Sequence, residues 1–167
     1  IENGTAILDI GGGSIQLSLF DKEALVATQN IRLGVLRLYE KMRYIDVKPS
    51  QYQTVLAELI DTQLAVFKKL YLKDREIKNL IVVDDYVSAV IKQVYPEIDK
   101  KGFIERKIFL DQMKALQSKS RLEVAKQLRM SEENVPLLRI SSQLIKSSLD
   151  FLGADCLWVP GVTLCDG

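Results

Sequence analysis

Thr5-Ala6-Ile7-Leu8-Asp9-Ile10-Gly11-Gly12-Gly13-Ser14-Ile15-Gln16-Leu17-Ser18-Leu19 is the stretch whose reading decides the fold. Thr5 to Ile10 is rich in Ile, Leu and Ala and reads as a buried strand. The glycine run breaks it. Ile15, Leu17 and Leu19 then alternate with Gln16 and Ser18, which is strand period. Strand, glycine turn and strand predict a β-hairpin. A third strand is predicted from Ala24 to Leu33, with Asp21-Lys22 as the turn before it. Three strands joined by short turns make an antiparallel meander.

After Gly34 the period lengthens. Val35, Leu38, Tyr39 and Met42 follow helical spacing, and Pro49-Ser50 open a longer helix. Its apolar positions, Tyr52, Val55, Leu56, Leu59, Ile60, Leu64, Phe67, Leu70 and Tyr71, fall in steps of three and four and predict one stripe on one helix face. Leu80 to Val83 reads as a short buried strand, with a helical stretch from Tyr86 to Val94 behind it and a loop marked by Pro96 and Gly102. Helices are predicted at Ile108 to Leu116, at Arg121 to Leu128, and from an N-cap at Ser131 through Leu152, with Gly153 closing the last. Cys156 to Val159 reads as the final strand. The order predicts an α/β fold: a mixed five-stranded sheet containing the three-strand meander, with helices on its faces, and residues 1–167 as one lobe.

Composition bounds the chemistry. The chain has 167 residues, 47% hydrophobic and 27% charged, which suits a packed domain. With 23 Lys+Arg against 22 Asp+Glu the net charge is +1, so bulk electrostatics give no reason to expect nucleic acid as a partner. There is no histidine, which excludes a Ser-His-Asp triad or a His-ligated zinc built from this chain alone. Two cysteines, Cys156 and Cys165, are too few for a disulfide scaffold or a cysteine zinc site and read as plain thiols. No apolar run reaches bilayer length and no basic-then-apolar leader is visible, so no membrane partner and a cytoplasmic location are expected. The first residue is Ile1, and the expectation is a fragment of a longer chain.

The sharpest chemical signal is Asp9-Ile10-Gly11-Gly12-Gly13-Ser14. Without side chains at Gly11, Gly12 and Gly13, main-chain N–H groups can converge and a phosphate can approach them closely. Ser14 adds a hydroxyl donor. Asp9, at the strand end, sets a carboxylate beside that point, where it can hold a divalent metal or orient water. The plain alternative is a tight hairpin turn. Neither a P-loop, which needs a following Gly-Lys-Ser/Thr, nor the dinucleotide fingerprint, which is followed by a helix, fits. Asp84-Asp85 has two readings: a strand-end acidic pair for Mg²⁺, or a cap and first-turn acid for the helix at Tyr86. Arg37 likewise has two: a phosphate contact, or a brace for the loop.

These residues resemble the second phosphate loop of the exopolyphosphatase / guanosine-pentaphosphate phosphohydrolase (Ppx/GppA) family, part of the actin-like ATPase superfamily. Ile31-Arg32-Leu33-Gly34-Val35-Leu36-Arg37-Leu38 is similar to that family's Leu-Gly-x-x-Arg-Leu after the third strand. The resemblance implies a ribonuclease-H-like lobe, the second of two, acting in a cleft completed by a missing N-terminal lobe. It implies Mg²⁺ as cofactor, held by Asp9, and a catalytic pair of Asp9 and Gln16. Gly11, Gly12, Gly13 and Ser14 bind phosphate, and Gly34 and Arg37 support the loop. Polyphosphate or guanosine pentaphosphate is the implied substrate, and a homodimer is left open. Gln16 stands where the family usually has Glu, and an amide orients water but accepts no proton from it. That motivates an alternative, a degenerate module that binds phosphate polymers or alarmones. Another is a nucleotide-binding lobe of the actin or sugar-kinase sort.

Overall fold

The computed structural model describes residues 4–73, 75–84 and 102–160. The segment from Asp85 through the helix expected at Tyr86 to Val94, the pair Lys100-Lys101, and Cys165 lie outside the described residues. Chain order runs β1 (Gly4–Ile10), β2 (Ile15–Asp21), β3 (Ala24–Ile31), α1 (Val35–Arg43), α2 (Tyr52–Tyr71), β4 (Ile77–Val83), β5 (Phe103–Glu105), α3 (Arg106–Gln117), α4 (Arg121–Leu128), α5 (Val135–Leu152) and β6 (Cys156–Trp158). Short 3₁₀ turns, Pro49–Gln51 and Glu132–Asn134, lead into α2 and α5.

The strands form one sheet in the order β3-β2-β1-β4-β6-β5. β2 is antiparallel to β1 and to β3, while β1, β4 and β6 run parallel. A meander followed by parallel strands, with helices in the crossovers, is the ribonuclease-H-like arrangement of the actin-like ATPase fold. Among the described residues the sheet has six strands rather than five. The extra one, Phe103–Glu105, pairs antiparallel with β6 where the sequence reads as loop. Three residues carry too little pattern to be seen, and pairing with Cys156–Trp158 makes the strand.

Alternation splits the sheet into two faces. Ala6, Leu8, Ile15, Leu17 and Leu19 are wholly buried, in one core with Leu38, Leu56, Ile60, Leu64 and Leu144 of the helices. Each of these leucines and isoleucines contributes about 1.5–3 kcal/mol by leaving water. On the other face Asp9, Gln16 and Asn30 are exposed, and Val83 is 46% exposed. The register pairs Val83 with Asp9, Asp9 with Gln16, and Gln16 with Asn30, so these residues form one row across β4, β1, β2 and β3. Trp158 is half-buried beside that face. Its indole N–H donates to Asn79 at 2.9 Å and its ring lies 5.0 Å from Phe103.

Three local readings shift. The β2–β3 turn is Lys22-Glu23, one residue later than Asp21-Lys22, with Asp21 kept in β2 opposite Ala24. Both turn residues have positive φ, 51° and 66°, as a tight hairpin that matches strand twist requires. Ser131 opens a 3₁₀ turn and makes no side-chain capping bond, because Pro136 sets the start of α5 further on. The serine that does cap is Ser120, which accepts from the Glu123 N–H at 3.2 Å to start α4.

The joint between β1, β2 and α1 is built from main chain. The N–H groups of Val35, Leu36 and Arg37 donate to Gly11 O (3.0 Å), Gly12 O (2.9 Å) and Gly12 O (3.1 Å). These are N–H groups that a helix start leaves without partners inside the helix. Gly34, just before α1, rests against the loop so closely that a Cβ there would sit 2.2 Å from Gly12 O. Two outcomes follow. Gly34→Ala lowers stability by roughly 3 kcal/mol in denaturant unfolding, because backbone has to move on one side or the other. Lys22→Asn raises it by roughly 0.5 kcal/mol in the same assay, since Asn tolerates the left-handed region better than Lys.

Candidate functional site

Gly11, Gly12 and Gly13 are exposed at the tip of the β1–β2 hairpin and Ser14 is half-buried at its second arm. The loop closes on itself through Gly11 N–H to Ser14 O at 3.0 Å. None of its glycines has positive φ, so a left-handed turn is not why they are glycine. At Gly12 a Cβ would meet Leu36 Cδ1 at 3.1 Å, and at Gly11 it would meet Ser14 O at 3.0 Å. At Gly13 it would meet nothing within 4 Å. The fold of this chain therefore does not need glycine at 13. What a side chain there would fill is the space outside the loop.

The direction of the loop amides follows from where its carbonyls go. Gly11 O and Gly12 O accept from α1, and Gly13 O accepts from Arg37 Nε at 2.9 Å. In a trans peptide the C=O and the next N–H point opposite ways. With three successive carbonyls turned to α1 and Arg37, the N–H groups of Gly12, Gly13 and Ser14 turn away from the helix. None of these three has a partner among the described residues. The product is three adjacent donors on an exposed tip with no partner among the described residues, a set of the kind that suits an anion.

Asp9 is exposed at the base of the loop, on the sheet face away from the helices, with Gln16 directly opposite on β2. Cross-strand neighbours of this kind have Cβ atoms about 5 Å apart. Asp84 follows β4 and is buried, 7% exposed, unlike Asp9. Asp85, the other half of the acidic pair, lies outside the described residues. Among the described residues no group of three or more acids or cysteines comes together to hold a metal. Cys156 is half-buried. Burial first, then the charges of Asp155 and Glu105, push its thiol up, which makes it a poor nucleophile. Lys68 and Lys69 are exposed on α2.

Basic residues that the sequence reading passed over lie beside the loop. Arg32 and Lys41, with Arg37, line a groove of about 420 Å³ whose one acid is Glu58. The signal was present in the spacing: Arg37 and Lys41 are four apart on α1 and share a face.

No family model matches the chain, and no curated protein resembles it in sequence. Similarity appears in solved structures. An exopolyphosphatase from Cytophaga hutchinsonii matches with TM-score 0.76 at 17% identity, over 95% of this chain and 53% of that one. A Ppx/GppA family member from Aquifex aeolicus matches with TM-score 0.73 at 15% identity, over 95% of this chain and 52% of that one. The chain thus spans about half the length of the proteins it resembles. No helix among the described residues is long and apolar enough to cross a membrane. At this identity what the chain shares with the Ppx/GppA exopolyphosphatases is their fold, over nearly all of its own length.

Proposed function

We propose that the chain is the second lobe of a phosphohydrolase that removes the terminal phosphate from polyphosphate or guanosine pentaphosphate, in a cleft completed by an N-terminal lobe of the same protein. The observation that carries the reading is the free, outward donor set of Gly12, Gly13 and Ser14. Those amides hold phosphate oxygens at the reacting end, and the Ser14 hydroxyl adds a donor. Such preset donors need no reorganisation as charge develops on the phosphoryl group. Gly34 and Arg37 hold the loop in that attitude, and Arg32, Arg37 and Lys41 draw the rest of a polyanion toward it.

An exposed carboxylate beside a phosphate cradle suits Mg²⁺, which binds through one or two carboxylates plus substrate oxygens and keeps several waters. Asp9 is the residue that would hold it. Bound there, the ion would screen the charge of the phosphates. Gln16 orients water from the opposite strand. The protein works in the cytoplasm, where such anhydrides are made and consumed.

Gln16 favours one second reading. With no proton acceptor at that position, the lobe binds phosphate polymers without cleaving them. The two separate in one assay. In the intact protein with Mg²⁺, polyphosphate is expected to yield orthophosphate, measured colorimetrically. Asp9→Ala abolishes release. Gly13→Ala lowers release roughly tenfold or more. It leaves the unfolding midpoint unchanged, because a methyl group at 13 meets open space. Polyphosphate retained on the protein with no orthophosphate released selects the binding module. Release that survives both substitutions at the wild-type rate refutes the cradle.

A further inference from the structure

A second cavity lies at the other end of α1, about 13 Å along that nine-residue helix from the glycine loop. Its volume is about 460 Å³, within the range of small-molecule pockets. Tyr39, Met42 and Arg43 enter it from the last turns of α1, Tyr52 from the start of α2, Arg121 from the start of α4 and Arg139 from α5. Pro49 and Pro136 complete the apolar wall. Among the described residues three arginines line this cavity and no carboxylate does.

The arginines are not consumed by the fold. Arg43 pairs with Glu40 at 3.2 Å on exposed surface and lies 5.9 Å over the Tyr39 ring. Arg121 and Arg139 have no carboxylate partner among the described residues. Arg121 uses Nε on Glu132 O at 2.8 Å, and its two terminal nitrogens have no partner among the described residues. Arg139 gives Nη2 to Lys119 O at 2.8 Å, while its Nε is buried with no partner among the described residues. Burial and the neighbouring Arg121 charge both push the Arg139 guanidinium down, as expected of two cations brought together with no anion between them. A partly buried guanidinium with an unmet donor is costly unless something pairs with it.

From this placement we propose that the cavity is a second binding site, for a small aryl or nucleoside monophosphate. The phosphate meets the guanidinium groups of Arg121 and Arg139, and the flat body lies against Tyr39 and Tyr52 on a floor of Met42, Pro49 and Pro136. Arginine presents forked donors that match phosphate oxygens, and tyrosine faces accept flat rings. A bare orthophosphate would leave most of 460 Å³ and its apolar wall unused.

Met42 gives the test a local reporter, because the chain has only three methionines and the others, Met113 and Met130, do not line this cavity. The intact protein, labelled with ¹³C at methionine methyls and assigned through Met42→Leu, is titrated with AMP, GMP, UMP, CMP and phenyl phosphate. Inorganic phosphate and adenosine are run as separate arms. At least one ring-bearing phosphate is expected to shift the Met42 methyl saturably, and the same compound without ring or without phosphate to bind roughly tenfold more weakly. Arg139→Gln and the surface-exposed Arg121→Gln each weaken that binding about tenfold. Asp9→Ala leaves the shift in place, which separates this site from the glycine loop and from the function proposed there. The proposal is overturned by any of three results: no saturable Met42 shift with any ring-bearing probe, equal affinity in Arg121→Gln, or a shift that disappears with Asp9→Ala.

Discussion

Much of the geometry of this chain depends on where α1 sends its first N–H groups. A helix start has donors that its own carbonyls cannot reach. Many helices meet that need with a serine or aspartate side chain. Here Gly34 precedes the helix and provides no side-chain cap, and the donors of Val35, Leu36 and Arg37 reach Gly11 O and Gly12 O instead. One set of hydrogen bonds therefore performs two tasks. It starts α1, and it fixes the peptide planes of the β1–β2 loop with their N–H sides outward. Bulk at position 34 would disturb both at once, since a Cβ there has no room against Gly12.

The hairpin, the meander and the two long helices were legible because each is written in a local period: alternation in β2, steps of three and four in α2 and α5. What could not be read depends on partners distant in sequence. β5 is a strand only because Cys156–Trp158 offers it an edge. The need for glycine at 34 is a contact with residue 12; the resemblance of Leu33-Gly34-Val35-Leu36-Arg37-Leu38 implied loop support there, but no local period announces the contact itself. The glycine run was legible as an exposed, side-chain-free loop, but the stated reason was incomplete. A tight turn normally calls for glycine through positive φ. None of Gly11, Gly12 and Gly13 uses it, whereas Lys22 and Glu23, with no glycine between them, both do.

The arginine cavity was illegible for a related reason. Tyr39, Tyr52, Arg121 and Arg139 come from four helices, and no spacing in the chain links them. Arg121 and Arg139 in particular read as ordinary charges on helix surfaces. Only the packing of α5 against α1 and α2 draws Arg139 inward, where burial and a like charge change its character.

The loop also changes how the α1 dipole acts. The N-terminus of a helix carries about half a positive charge and can bind an anion directly. In this chain that end is covered by the carbonyls of Gly11 and Gly12. The field is passed on rather than cancelled. A peptide whose C=O accepts a hydrogen bond is polarised, and its N–H becomes the stronger donor, by about 10–30% per bond in chains of this kind. Gly12 and Gly13 N–H belong to the two peptides that accept from α1, and Ser14 N–H belongs to the one that accepts from the Arg37 guanidinium. Each free donor at the tip is thus backed by a positive source on the far side of its own peptide. Asp9 stands at the base of the loop, at the end of β1. A polyanion would meet three strengthened dipoles on its approach, and the carboxylate only where a cation can sit between them.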